Sequence, residues 1–216
     1  ITKHGDPTVN ETFGPFDADD AGEGGLVWLK GRNNGNSHYL HDSERTITKY
    51  LQSQSTNAEQ TNGPVTSFNS NGFSLGFGQG NGGANSSGDT FASWTFRKAP
   101  KFFDVVTWTG DGTASRDISH NLGGTVGTII VKRYNTTEAW VVFHRSLGAN
   151  NQLKLNKTDA AGSLSGLFIS TPTTSVFTVG SNSAINASGS TYVAYLFAHN
   201  DGDGEFGPDG DADVIK

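Results

Sequence analysis

The sequence predicts an all-β protein: two tandem β-sandwich modules, jelly-roll or Ig-like in character, of about 100 residues each. Three observations carry that expectation. The composition is turn-rich and aromatic, the apolar residues alternate with period two, and the chain repeats itself.

Only 33% of the 216 residues are hydrophobic, yet 29 are Gly and 14 are Phe. Gly and Asn supply the positive φ angles of tight turns, and evenly spread aromatics argue against disorder. In Ala92, Trp94 and Phe96 the apolar side chains recur at every second position, with Ser93 and Thr95 between them. Val193, Tyr195 and Phe197 repeat the pattern. Such alternation marks a strand with one face on a core, so these two sets, including Trp94, are expected to point inward. Residues 102–108 and 138–143 also read as strands. No stretch of helical length carries a 3.6-residue stripe with caps; a short helical turn is expected within 43–60.

The repeat sets the domain organisation. NSSGDTFASWTF at 85–96 returns as NASGSTYVAYLF at 186–197. Leu26-Val27-Trp28-Leu29-Lys30 matches Thr128-Ile129-Ile130-Val131-Lys132, and Phe73-Ser74-Leu75-Gly76 matches Phe177-Thr178-Val179-Gly180. Leu51 matches Leu153, and His41 is paired with His144. Offsets stay between 101 and 104 in unbroken order. Asp213-Val214-Ile215-Lys216 resembles Asp104-Val105-Val106-Thr107, so the chain reads as two periods cut from something longer. The expected layout is a first module over 1–99, a second over 100–200, and an acidic Gly-rich linker with the start of a further repeat over 201–216.

Charge and chemistry narrow the function. The net charge is −6 with no dense Lys/Arg cluster, which argues against nucleic acid. No apolar run has the length of a membrane-spanning segment. Without Cys, disulfides and thiolate metal sites are excluded. There is no Cys nucleophile, and nothing selects two of Glu11, Glu23, Glu44, Glu59 and Glu138 as a catalytic pair. Glu59 has Ala161 as its counterpart in the other copy, so no enzyme activity is expected.

Two sets of site candidates remain. Asp201, Asp203, Asp209 and Asp211 are closely spaced carboxylates of the kind Ca²⁺ takes, although Phe206 and Val214 stand where an EF-hand loop needs Gly. Calcium is therefore the one cofactor considered, and a solvated acidic linker is the alternative. Among the four Trp residues, Trp28 aligns with Ile130 and Trp94 with Tyr195, which places both in apolar core slots. Trp108 and Trp140 align with Lys3 and, roughly, His38. The fold does not require them, so they are the candidates for stacking on a glycan, against an edge or packing role.

Trp94-Thr95-Phe96-Arg97-Lys98-Ala99-Pro100-Lys101-Phe102-Phe103-Asp104-Val105-Val106, Ser119-His120-Asn121-Leu122-Gly123 and Ile129-Ile130-Val131-Lys132-Arg133 carry a resemblance. So do Ser67-Phe68-Asn69-Ser70-Asn71-Gly72-Phe73 and Tyr192-Val193-Ala194-Tyr195-Leu196-Phe197-Ala198-His199. Together they resemble a repeated domain of uncharacterised function in virion proteins of tailed, mostly marine, phages. Residues 6–25 depart from its usual front pattern. The resemblance implies an exterior virion component (fibre, tail or capsid decoration) that assembles with other virion proteins and with its own copies. It implies host-surface contact, and it brings no catalytic residues. A glycan-binding adhesin module is the alternative function.

Overall fold

The structure is a computed structural model that describes residues 11–12, 24–33, 35–69, 72–76 and 83–199. The fold is all-β, with antiparallel sheets throughout. The chain divides into two compact units, Ile1–Arg97 and Lys98–Lys216.

In the first unit, β1 (Glu11–Thr12), β5 (Gly72–Leu75) and β4 (Val65–Asn69) form one three-stranded sheet in that order. β3 (His38–Asp42), β2 (Gly25–Gly31) and β6 (Phe91–Arg97) form another, with β2 in the middle. Val27, Leu29 and Phe91 pack with Val65, Phe73 and Ala84 to make the core of this unit. Gly25 is required by closeness: a Cβ there would lie 2.2 Å from the Phe96 carbonyl oxygen.

The second unit holds a six-stranded sheet. Its order is β12 (Gly162–Ser163), β11 (Asn151–Lys154), β10 (Val141–His144), β9 (Val126–Arg133), β14 (Thr191–Ala198) and β7 (Phe103–Thr109). β13 (Val176–Val179) pairs with β8 (Arg116–Ser119). β14 is hydrogen-bonded on both sides, and Tyr192 to Leu196 are all buried. That explains why YVAYLF is an unbroken apolar run, because a strand covered on both faces has no solvent side to alternate with. The core joins Ile129 and Val131, Val141 and Phe143, and Tyr192, Ala194 and Leu196 to Trp108, Phe168 and Phe177.

The two units repeat one ladder in one register. Trp28 is opposite Trp94 and Leu40; Ile130 is opposite Tyr195 and Val142. Leu40 bridges to Leu51 as Val142 pairs with Leu153. Each of these pairs of equivalents lies 101 or 102 positions apart. The turns before the closing strands share a device too: Gly88 and Gly189 both take positive φ, +83° and +74°.

Several expectations are corrected. The register puts His41 opposite Val27 and Phe143 opposite Ile129, so the equivalent of His41 is Phe143, not His144. A slip of one residue changes the face: His41 is buried and His144 exposed. On β6, Thr95 and Ser93 lie opposite Val27 and Leu29, so Trp94 stands on the sheet face away from that core. The strand expected over 138–143 begins only at Val141, with the Trp140 amide donating to Asn156 Oδ1 instead of a neighbouring strand. Residues 43–60 form turns and isolated bridges, not a helical turn. Helix is confined, among the described residues, to single turns at Arg145–Leu147 and at α1 (Ser183–Asn186).

Candidate functional site

The surface of the first unit carries an aromatic cluster built on its central sheet. Along β2 the side chains of Leu26, Trp28 and Lys30 share the face opposite the core, because successive residues of a strand alternate. On β6 the same face takes Ala92, Trp94 and Phe96, and on β3 it takes His38, Leu40 and Asp42. Trp94 is 48% exposed, the only large hydrophobic side chain of this unit that stands clear among the described residues. Its ring meets the edge of Trp28, with centroids 6.1 Å apart and planes at 67°. Trp28 meets His38 in the same edge-on way, at 5.7 Å and 68°.

A hydrogen bond locks the cluster. Trp28 Nε1–H donates to His38 Nδ1 at 2.8 Å. The indole nitrogen can only donate, so Nδ1 is the bare nitrogen and Nε2 carries the imidazole proton. Burial lowers the pKa of His38, and the positive charge of Lys30 lowers it further; both favour the neutral ring this bond needs. The main-chain N–H of His38 donates to Gln54 Oε1 at 3.2 Å.

Other polar clusters are structural in their geometry. Beside the first unit's central sheet, Arg45 donates through Nε to Asp42 Oδ2 at 2.8 Å and through an NH group to Glu59 Oε2 at 2.8 Å. Lys49 completes the set, 3.0 Å from Glu59 Oε1. The side chain of Asp42 is fully buried and that of Arg45 nearly so. Within this unit His41 donates from Nδ1 to the Ile47 carbonyl at 2.8 Å, stacks on Tyr50, and leaves Nε2 as a buried acceptor without a hydrogen-bond partner. Burial drives its pKa down to about 4. A side chain at Gly63 would collide with that ring, at 2.1 Å from Cε1.

In the second unit Asn186 clips a loop. It accepts from the Asp111 amide, and Nδ2 donates to Asp111 Oδ1 and to the Thr113 carbonyl, each at 3.1 Å. Lys132 is fully buried, and its ammonium donates to the Arg133 and Glu138 carbonyls at 2.7 and 3.0 Å. Burial lowers its pKa to about 8.

The sugar-stacking candidates lie elsewhere than expected. Trp108 is 7% exposed inside the core of the second unit, stacked on Tyr192, with its Nε1–H donating to the Ile185 carbonyl at 3.1 Å. Trp140 is fully buried and stacks on Tyr195. Neither ring offers a face to a glycan, so both assignments fall, and both residues serve packing. The exposed tryptophan is Trp94, which repeat alignment had placed in the core. Alignment misled because Tyr195, its equivalent, sits on a strand covered on both faces. The signal available in the sequence was the company each keeps: Ser93 and Thr95 flank Trp94, whereas Ala194 and Leu196 flank Tyr195. Asp201, Asp203, Asp209 and Asp211 lie outside the described residues. Among the described residues no three His, Asp or Glu side chains gather as metal ligands, and no helix is long and apolar enough to cross a membrane.

With this geometry established, comparison with known proteins gives a family. The family described as "Domain of unknown function (DUF7483)" matches residues 20–212. The chain belongs to this family. The DUF7483 match runs from ahead of β2 to beyond β14, so it takes in both copies of the ladder. No curated protein and no solved structure matches the chain.

Proposed function

We propose that the chain is a structural part of a tailed-phage virion, an exterior fibre, tail or capsid-decoration component, made of two tandem β-sandwich modules. Its work is assembly: it spaces and joins other virion proteins, associates with its own copies, and meets the host surface. The observation that carries this reading is the ladder β3–β2–β6, repeated in matching register as β10–β9–β14. A repeated, rigid β unit suits a part that must extend or tile, because each copy brings its own buried core. The sequence resemblance to repeated phage virion domains supports the same reading. So does the use made of the buried ionisable groups: Asp42, Arg45 and Glu59 are committed to one another, and Lys132 to main-chain carbonyls.

The test is location. Gold-labelled antibodies against the chain, applied to intact particles of a phage that encodes it, are expected to mark fixed, symmetry-related positions on the exterior. Label confined to infected cells, with particles unmarked, would refute the proposal.

A further inference from the structure

We propose that the Trp94–Trp28–His38 cluster on the first unit is a carbohydrate-binding subsite, in which one pyranose ring of a neutral glycan stacks on the exposed indole of Trp94. The inference goes beyond the structural role above, because it assigns a ligand class to a defined surface.

Three features select this ligand. The first is preorganisation. Trp94 is held against Trp28 at 6.1 Å, and Trp28 is fixed in turn by its 2.8 Å bond to His38. An exposed ring with its partners already locked loses little freedom on binding. The second is the mix of chemistry. The apolar C–H face of a pyranose suits an indole, while its hydroxyls need donors and acceptors around the rim. The His38 tautomer leaves Nε2–H as a donor, and Lys30 lies on the same sheet face, laterally opposite both His38 and Ala92. The third is scale. A protein partner needs a contiguous apolar patch of several hundred Å². Here one indole stands exposed among half-buried neighbours, an apolar platform about the width of a single sugar ring. Lys30 is the cation beside the cluster and His38 is neutral, so nothing among Trp94, Trp28 and His38 demands an anionic sugar.

The second unit lacks the arrangement. Tyr195 replaces Trp94, Ile130 replaces Trp28 and Trp140 replaces His38, and both aromatic rings there are buried. The subsite therefore belongs to the first unit alone.

Affinity electrophoresis of the full chain through gels containing dextran, galactomannan, mannan or β-glucan tests this directly. At least one polysaccharide is expected to retard the chain. Trp94→Ala should weaken that retardation at least about tenfold, as removal of a central aromatic anchor does. Trp94→Tyr should keep most of it, and Leu164→Ala, at an exposed site on the second unit, should leave it intact. On the unmodified chain the bound polysaccharide should shift the indole N–H resonance of Trp94, with those of Trp108 and Trp140 unmoved; this readout does not depend on how any variant folds. The proposal is overturned if no gel retards the chain, or if Trp94→Ala leaves retardation unchanged. It is equally overturned if Trp94→Ala alters sedimentation of the chain and not its retention, since the patch would then be a protein interface.

Discussion

The two units share a ladder and differ in what fills it. In the second unit the interior is aromatic: Trp108 stacks on Tyr192 and meets Phe177 edge-on, Phe177 packs on Phe168, and Phe168 on Phe143. In the first, the core around Val27, Leu29 and Phe73 is smaller, and buried ionisable groups stand beside it. His41 occupies the place of Phe143, and Asp42 is tied to Arg45 and Glu59. The lesson concerns energy and specificity. Apolar burial is insensitive to pH, whereas a buried charge network or a neutral buried histidine makes stability depend on protonation. Both units bury ionisable groups, Asp104, His120 and Lys132 in the second, but the first sets His41 and the Asp42–Arg45–Glu59 network beside a smaller apolar core.

The largest test strikes the aromatic side. Trp108→Ala removes a buried ring and strands the Ile185 carbonyl, so the second unit should lose about 4 kcal/mol. Urea unfolding followed by near-ultraviolet circular dichroism measures it. The matching blow to the first unit is Arg45→Ala, which leaves the Asp42 carboxylate buried and uncompensated at a cost of about 3 kcal/mol. If Arg45→Ala proves nearly neutral, the network contributes little and the contrast between the units weakens.

A smaller effect, about 2 kcal/mol, is expected for Asn186→Ala, which cuts the clip onto Asp111 and Thr113. Its signature is specific: amide exchange should quicken at Asp111 and Thr113 before it quickens on β9.

Acid sharpens the comparison further. In the folded first unit His41 titrates near 4, against 6.5 for a free imidazole. The folded state therefore binds fewer protons than the unfolded one between those values. The stability tied to His41 is whole above pH 6.5 and drains as pH falls toward 4. The loss amounts to about 2 kcal/mol at pH 5. His41→Phe, which installs the residue of the second unit, should flatten the acid limb of the first unit's pH–stability curve. The smallest effect falls on Trp94→Ala, which should cost about 1 kcal/mol because about half of the residue is already in solvent.

Much of this was legible in the sequence. The all-β class follows from turn chemistry and alternation, and the paired strings at offsets of 101 and 102 are the residues that occupy equivalent rungs of the two ladders. What the sequence concealed has a common physical cause. In Leu26-Val27-Trp28-Leu29 every residue is apolar, so period two cannot tell which face meets the core. The faces of Trp28 and Trp94 were therefore open to misassignment. His41 and His144 invited pairing by residue type, and only hydrogen-bond register, which is blind to side chains, separates them. Trp108 and Trp140 looked dispensable because the other copy lacks them. Yet each unit fills its interior independently, and a residue absent from one copy can be central to the other. The Asp42–Arg45–Glu59 network carried no sequence signal, since Arg45 and Glu59 lie three and seventeen residues beyond Asp42, the last residue of β3, in a stretch without regular structure.

Backbone amide exchange at pH 7 and pH 5, expressed as protection factors, tests the contrast between the units most directly. Leu40 and Leu51 of the first unit and Val142 and Leu153 of the second are equivalent rungs, so each pair controls for the other. Protection at Leu40 and Leu51 is predicted to fall about twentyfold at the lower pH, and that at Val142 and Leu153 to fall less, because burial also lowers the pKa of His120 in the second unit. Equal losses in both pairs, or none in either, would contradict the account.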